Sequence, residues 1–191
     1  MGFLSYIKYS FCDLFDKVRC FKWKFVLCAI VTVIGFVLGI VFFSVFAYGW
    51  WYYNRCTYAS KLMEAGFNVL ISFVITAVLV YLAFVLCNMT RITHYLALIV
   101  NFVACFYCGA TVAALFTYSV MWGVLYALFV ALPWLVTMCF CCFVCLCEAP
   151  ICRSFCESAR DSKALSFVLA IGLACKILTL FVILKILTML I

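Results

Sequence analysis

Acidic residues are nearly absent from this chain: there are six among 191 residues, beside thirteen lysines and arginines and one histidine. Soluble domains carry about 25% charged and roughly 45–50% apolar residues, whereas this sequence is 10% charged and 72% hydrophobic. So little polarity cannot clothe a water-soluble core, and the soluble globular domain is the first class excluded. Two prolines and eight glycines leave little material for turns, which argues against a β-barrel of many short alternating strands. Catalytic signatures are missing as well. No Gly-rich phosphate loop, hydrolase elbow or pair of facing carboxylates occurs, and His94 has no ligand-type neighbour at useful spacing. The reading is a protein that is not an enzyme, takes no cofactor and holds no metal.

What the chain does have is long apolar runs. Its mean hydropathy is +1.35, and crossing a bilayer core takes about 20 helical residues. Five segments meet that length: 25–48, 66–87, 95–115, 119–145 and 164–191. The fold class expected is therefore all-α, a polytopic membrane protein of about five transmembrane helices forming one membrane domain over residues 25–191. The stretch 95–147 carries no acid or base but is too long for one crossing, so a break is placed near Thr117, Tyr118 and Ser119.

Residues 1–24 are expected to stay on the mature protein, because mixed charges and the lack of a small-residue cleavage site do not describe a secretory signal. Leu4, Ile7, Phe11, Leu14, Val18 and Phe21 recur at helical spacing with Lys8, Asp13, Asp16 and Lys17 between them. That pattern describes an amphipathic helix lying in the interface. Basic residues cluster in this segment and at Arg91, Arg153, Arg160 and Lys163. By the positive-inside rule the N-terminus is cytoplasmic and the C-terminus outside. Tyr48, Trp50, Trp51, Tyr52 and Tyr53 then mark the outer interface. The net charge of +7 answers to that bias and to an anionic inner leaflet, without nucleic acid as a partner.

Four features stand out as candidate sites. Fifteen cysteines include the run MCFCCFVCLCE at residues 138–148, and eleven of the fifteen fall in or near the cytoplasmic half under this topology, where thiols stay reduced. Spread around a helix, they read first as packing atoms; Cys145 and Cys147, nearest the cytosol, are candidates for S-acylation, and metal or redox chemistry ranks last. Lys176 falls near the bilayer centre, where a lysine costs about 2.5–3.5 kcal/mol, and no acid lies in any span. Asn101, Asn68, hydroxyls and carbonyls are the acceptors on offer. Gly35 and Gly39 form a GxxxG, and Gly109 and Ala113 belong to small-residue pairs in the third span, so close helix packing is expected there. Pro133 removes a backbone hydrogen bond and is expected to kink the fourth span.

A charged N-terminus followed by FVLCAIVTVIGFVLGIVF, then FYCGATVAALF, a short turn and MWGVLYALFVALPWLV, with Gly39, Gly109, Gly123 and Pro133 as fixed points, resembles the stage II sporulation protein M family of bacterial membrane proteins. The resemblance implies a non-enzymatic scaffold of the cell membrane, an assembly component working with cell-wall hydrolases during engulfment. Its partners would be the lipid bilayer and other membrane proteins, with oligomers allowed. The alternative raised by Lys176 and Pro133 is a transporter or channel subunit. A third, weaker reading is a membrane-remodelling protein with acylated cysteines.

Overall fold

An unbroken apolar segment satisfies its own backbone in lipid by forming a helix. In the computed structural model, all regular structure among the described residues is helical. Those residues are 16–46, 53, 54, 56, 57, 67–87, 95–147, 168–179 and 182. They contain helices α1 (Lys22–Val45), α2 (Phe67–Cys87), α3 (Leu96–Tyr118), α4 (Val120–Cys147) and α5 (Val168–Thr179). Three of these, α1, α3 and α4, are long and apolar enough to cross a membrane. Two further apolar stretches, Ile71–Cys87 and α5, are shorter. The expected interfacial helix lies mostly outside the described residues, although 16–20 are helical. Of the expected aromatic belt only Tyr53 is described, and it is exposed.

The apolar stretch after residue 95 is divided by a single extended residue. Ser119 has φ −160° and ψ 124°, and its N–H closes α3 on the carbonyl of Leu115 at 3.0 Å. Its own carbonyl accepts the N–H of Gly123 at 2.9 Å and opens α4.

Helix α4 carries Pro133 in its interior, where the ring would collide with the carbonyl four residues back and leave it unbonded. The chain answers with a π-helical turn over Ala127–Ala131, in which the Leu132 N–H reaches the carbonyl of Ala127, five residues back. Widening one turn absorbs the proline within a continuous helix.

Helices α1 and α3 form the tightest pair, and glycine is the reason. A Cβ built at Gly35 would lie 2.8 Å from the carbonyl oxygen of Phe102, and one at Gly39 would run into that of Phe106. Reciprocally, a Cβ at Gly109 would meet the carbonyl of Phe36. The small residues of the first and third spans thus bring two backbones into contact within one chain. Ala113 is buried one turn further along α3.

Two apolar clusters stack along the bundle. One gathers Cys28, Phe84, Ala97, Cys105, Met138 and Cys142, and the other Phe43, Phe73, Ala110, Leu115, Tyr126 and Val130. Phe84 therefore shares a level with Ala97, and Phe73 with Ala110, so α2 and α3 run antiparallel. At the first end, the Lys24 Nζ donates to the carbonyl of Leu146 at 2.6 Å, a cation placed on the C-terminal carbonyls of α4.

Cysteines fill this end of the core. The sulfurs of Cys28 and Cys142 lie 3.5 Å apart, and Cys142 also faces the carbonyl of Ala97 at 3.6 Å. Because a disulfide needs only a small further approach, oxidation of the folded protein in membranes with iodine should join Cys28 to Cys142. Mass spectrometry of chymotryptic peptides would detect the linked pair. Cross-links that join either cysteine only to other positions would place α1 and α4 differently.

Candidate functional site

Helix α5 carries one charged residue within its described length, Lys176. It is 8% exposed, and Asp16, at the far N-terminal edge of the described residues, is the one acid among them. The ammonium therefore has no described carboxylate to face. It lies between two aromatic rings, with Nζ 4.2 Å from the ring centroid of Phe73 on α2 and 4.4 Å from that of Trp134 on α4. Desolvated cation–π contacts are worth about 2 kcal/mol each, comparable in sum with the cost of placing a lysine in the bilayer. The rings attract the charge without neutralising it.

This corrects the acceptors expected from sequence. Asn101 is fully buried and committed elsewhere: its Nδ2 donates to Thr32 Oγ1 at 2.9 Å and to the carbonyl of Cys28 at 3.5 Å. Its Oδ1 accepts from the Cys105 thiol at 3.5 Å. Asn101 thus ties α3 to α1 and takes no part with Lys176. The side chain of Asn68 lies outside the described residues. Sequence reasoning missed Phe73 and Trp134, because an aromatic residue in an apolar span carries no mark of the cation it will meet. The one available signal was negative: a lysine in a span without acids needs electron density from somewhere.

Lys176 and Trp134 line a cavity of about 690 Å³ between α2 and α3, floored by α4 and α5, within the usual size of ligand sites. The cavity has two unlike ends. Ser72, Thr76, Tyr107, Thr111 and Tyr126 surround the lysine end, and Leu79, Val80, Ala83, Ile99, Val100 and Val103 line the other. Thr76 and Thr111 donate their hydroxyl protons to the carbonyls of Ser72 and Tyr107, at 2.7 and 2.9 Å, as hydroxyls in apolar helices commonly do. That leaves Lys176 as the cavity's cation, held in place by two rings and open to an incoming acceptor.

The remaining sequence candidates lie elsewhere. Gly35, Gly39 and Gly109 build the contact of α1 and α3, and Pro133 immediately precedes Trp134, just after the π turn Ala127–Ala131. Cys145 is fully buried with its thiol 3.8 Å from the carbonyl of Phe84. A thiol sealed in this way gives an acyl donor no approach, so the acylation expectation narrows to half-buried Cys147. No group of three or more His, Cys, Asp or Glu among the described residues is arranged to hold a metal ion.

The chain matches no protein-family model, no curated protein and no solved structure.

Proposed function

We propose that the protein is a non-enzymatic integral membrane subunit of the transporter or channel kind, which binds a monovalent anion at Lys176. In this reading it spans a bacterial cell membrane five times, with the N-terminus cytoplasmic and the C-terminus outside. The observation that carries it is the pairing of a buried ammonium with a cavity and with no described carboxylate to face. Such residues inside membranes are costly and mark binding or conduction paths. The scaffold reading, with cell-wall hydrolases as partners, keeps the support of the resemblance to stage II sporulation protein M. Gly35, Gly39 and Gly109, which could have packed against another membrane protein, face each other's helices within this chain.

Iodide tests the proposal because it is a monovalent anion that quenches indole fluorescence, and Trp134 adjoins Lys176. In a chain whose other tryptophans are replaced by phenylalanine, iodide should quench Trp134 saturably, and Lys176→Met should weaken that saturation at least tenfold. Neutral acrylamide should show no such dependence. Iodide quenching that is linear and equal in both proteins would sink the reading.

A further inference from the structure

The geometry points to a single-chain amphiphile with one negative charge, a long-chain carboxylate, as the occupant of the Lys176 cavity, entering sideways from the bilayer between α2 and α3. The inference rests on the anion-binding reading above and specifies its ligand. Its first support is the polarity of the cavity. On α2 the lining runs from Ser72 to Ala83, and on α3 from Thr111 back to Ile99, lengths of about 16 and 18 Å from the helical rise. Because the two helices are antiparallel, both polar ends meet at Lys176 and both apolar ends meet beyond it. A small inorganic anion would use the lysine end and leave the apolar end empty, whereas a charged head on a hydrocarbon chain fills both.

The second support is access. Leu79 and Ile99 line the apolar end and are 61% and 57% exposed, on helices whose outward faces meet lipid in a membrane. The cavity therefore opens toward the hydrocarbon. Stoichiometry of charge is the third. One lysine neutralises one carboxylate, giving a pair without net charge in a medium that penalises any excess. A phosphate monoester, at about −1.5 to −2, would leave charge uncompensated, and one apolar groove suits one chain.

Palmitate bearing a diazirine at its terminal carbon is the probe. Added to the purified full chain in non-ionic detergent and followed by native mass spectrometry, it should bind saturably with one molecule per chain. Photolysis should label residues 79–83 or 99–104. Lys176→Met should weaken binding at least tenfold, and Ala83→Phe, which fills the apolar end, should weaken palmitate binding by a similar factor. The labelling map uses the unaltered protein, so the test does not depend on any variant folding. Labelling confined to other surfaces, or palmitate binding indifferent to Lys176, overturns the inference. If iodide still depends on Lys176 in that case, the anion site stands and only its ligand class falls. If neither probe depends on the lysine, both fall together.

Discussion

Gly39→Leu and Gly109→Leu should each abolish the folded bundle, with purified protein lost to aggregation on size-exclusion chromatography, whereas Gly123→Ala should elute like the parent. The difference lies in what each new side chain would strike. At Gly39 the first added carbon meets the carbonyl of Phe106, with its carbon at 2.9 Å and the Ala110 nitrogen at 3.1 Å. At Gly109 it meets the carbonyl of Phe36, with the Ile40 nitrogen at 3.2 Å. Both obstacles are helix backbone and cannot turn aside, so relief requires α1 and α3 to separate along their whole contact. At Gly123 the obstacle is the ring of Phe116, with Cγ 2.6 Å away, and a side chain that is 41% exposed can swing aside about its Cα–Cβ bond. Overpacking a core usually costs about 1–3 kcal/mol. The two leucine variants should exceed that range, since they displace the central helix pair. Gly39→Ala and Gly109→Ala provide the graded test: each should lower the midpoint of thermal unfolding in detergent, and by more than Gly35→Ala, whose Cβ would also press on a backbone carbonyl oxygen, that of Phe102, but less closely, at 2.8 Å. Equal midpoints for Gly39→Ala, Gly109→Ala and Gly123→Ala would show that the helices do not cross at these glycines.

Those glycines also show how far the sequence could be read. Spacing of small residues pointed to close packing, because GxxxG has one common use in a membrane, but spacing says nothing about which partner lies opposite. The reciprocal seating of Gly39 and Gly109 was therefore visible only in three dimensions. The break at Thr117–Ser119 was legible for a similar reason: an apolar stretch longer than a bilayer must turn where its polar residues are. Pro133 announced a disturbance, and its resolution as a π turn over Ala127–Ala131 could not be read from the proline alone, since a helix can meet a proline by a kink or by a widened turn. Cys145 and Cys147 looked alike in sequence, two residues apart at the end of a helix, yet that interval turns them to different sides, one into the core and one toward the surface. Lys176 was conspicuous by its charge alone. Its ring partners come from helices about one hundred and about forty residues away in sequence, where ordinary hydrophobic residues become electrostatic groups only through placement.

Lys176→Met should leave the unfolding midpoint unchanged or raise it, while Lys176→Glu should lower it by the equivalent of about 3 kcal/mol. Methionine nearly matches lysine in length and removes the insertion cost of about 2.5–3.5 kcal/mol; it keeps dispersion contact with Phe73 and Trp134 and forfeits only their attraction for a cation. Replacing buried charge by an apolar group of similar volume is often neutral or stabilising. Glutamate reverses the sign of the interaction, because the faces of both rings are electron-rich, and it leaves an acidic group without a described partner, a change in the range of about 3–5 kcal/mol for broken buried pairs. Lys176→Arg should behave like the parent, since a guanidinium also stacks on aromatic faces. The methionine variant is the decisive member of the series. A lysine whose role was to hold α2, α4 and α5 together through its two rings would cost about 2–4 kcal/mol when that attraction is removed, and thermal unfolding in detergent would fall accordingly. A lysine kept for a ligand gives the opposite pairing: a fold as stable as before, or more so, in a protein that no longer binds anions. Stability gained where binding is lost is the signature of a charge retained against the interest of the fold.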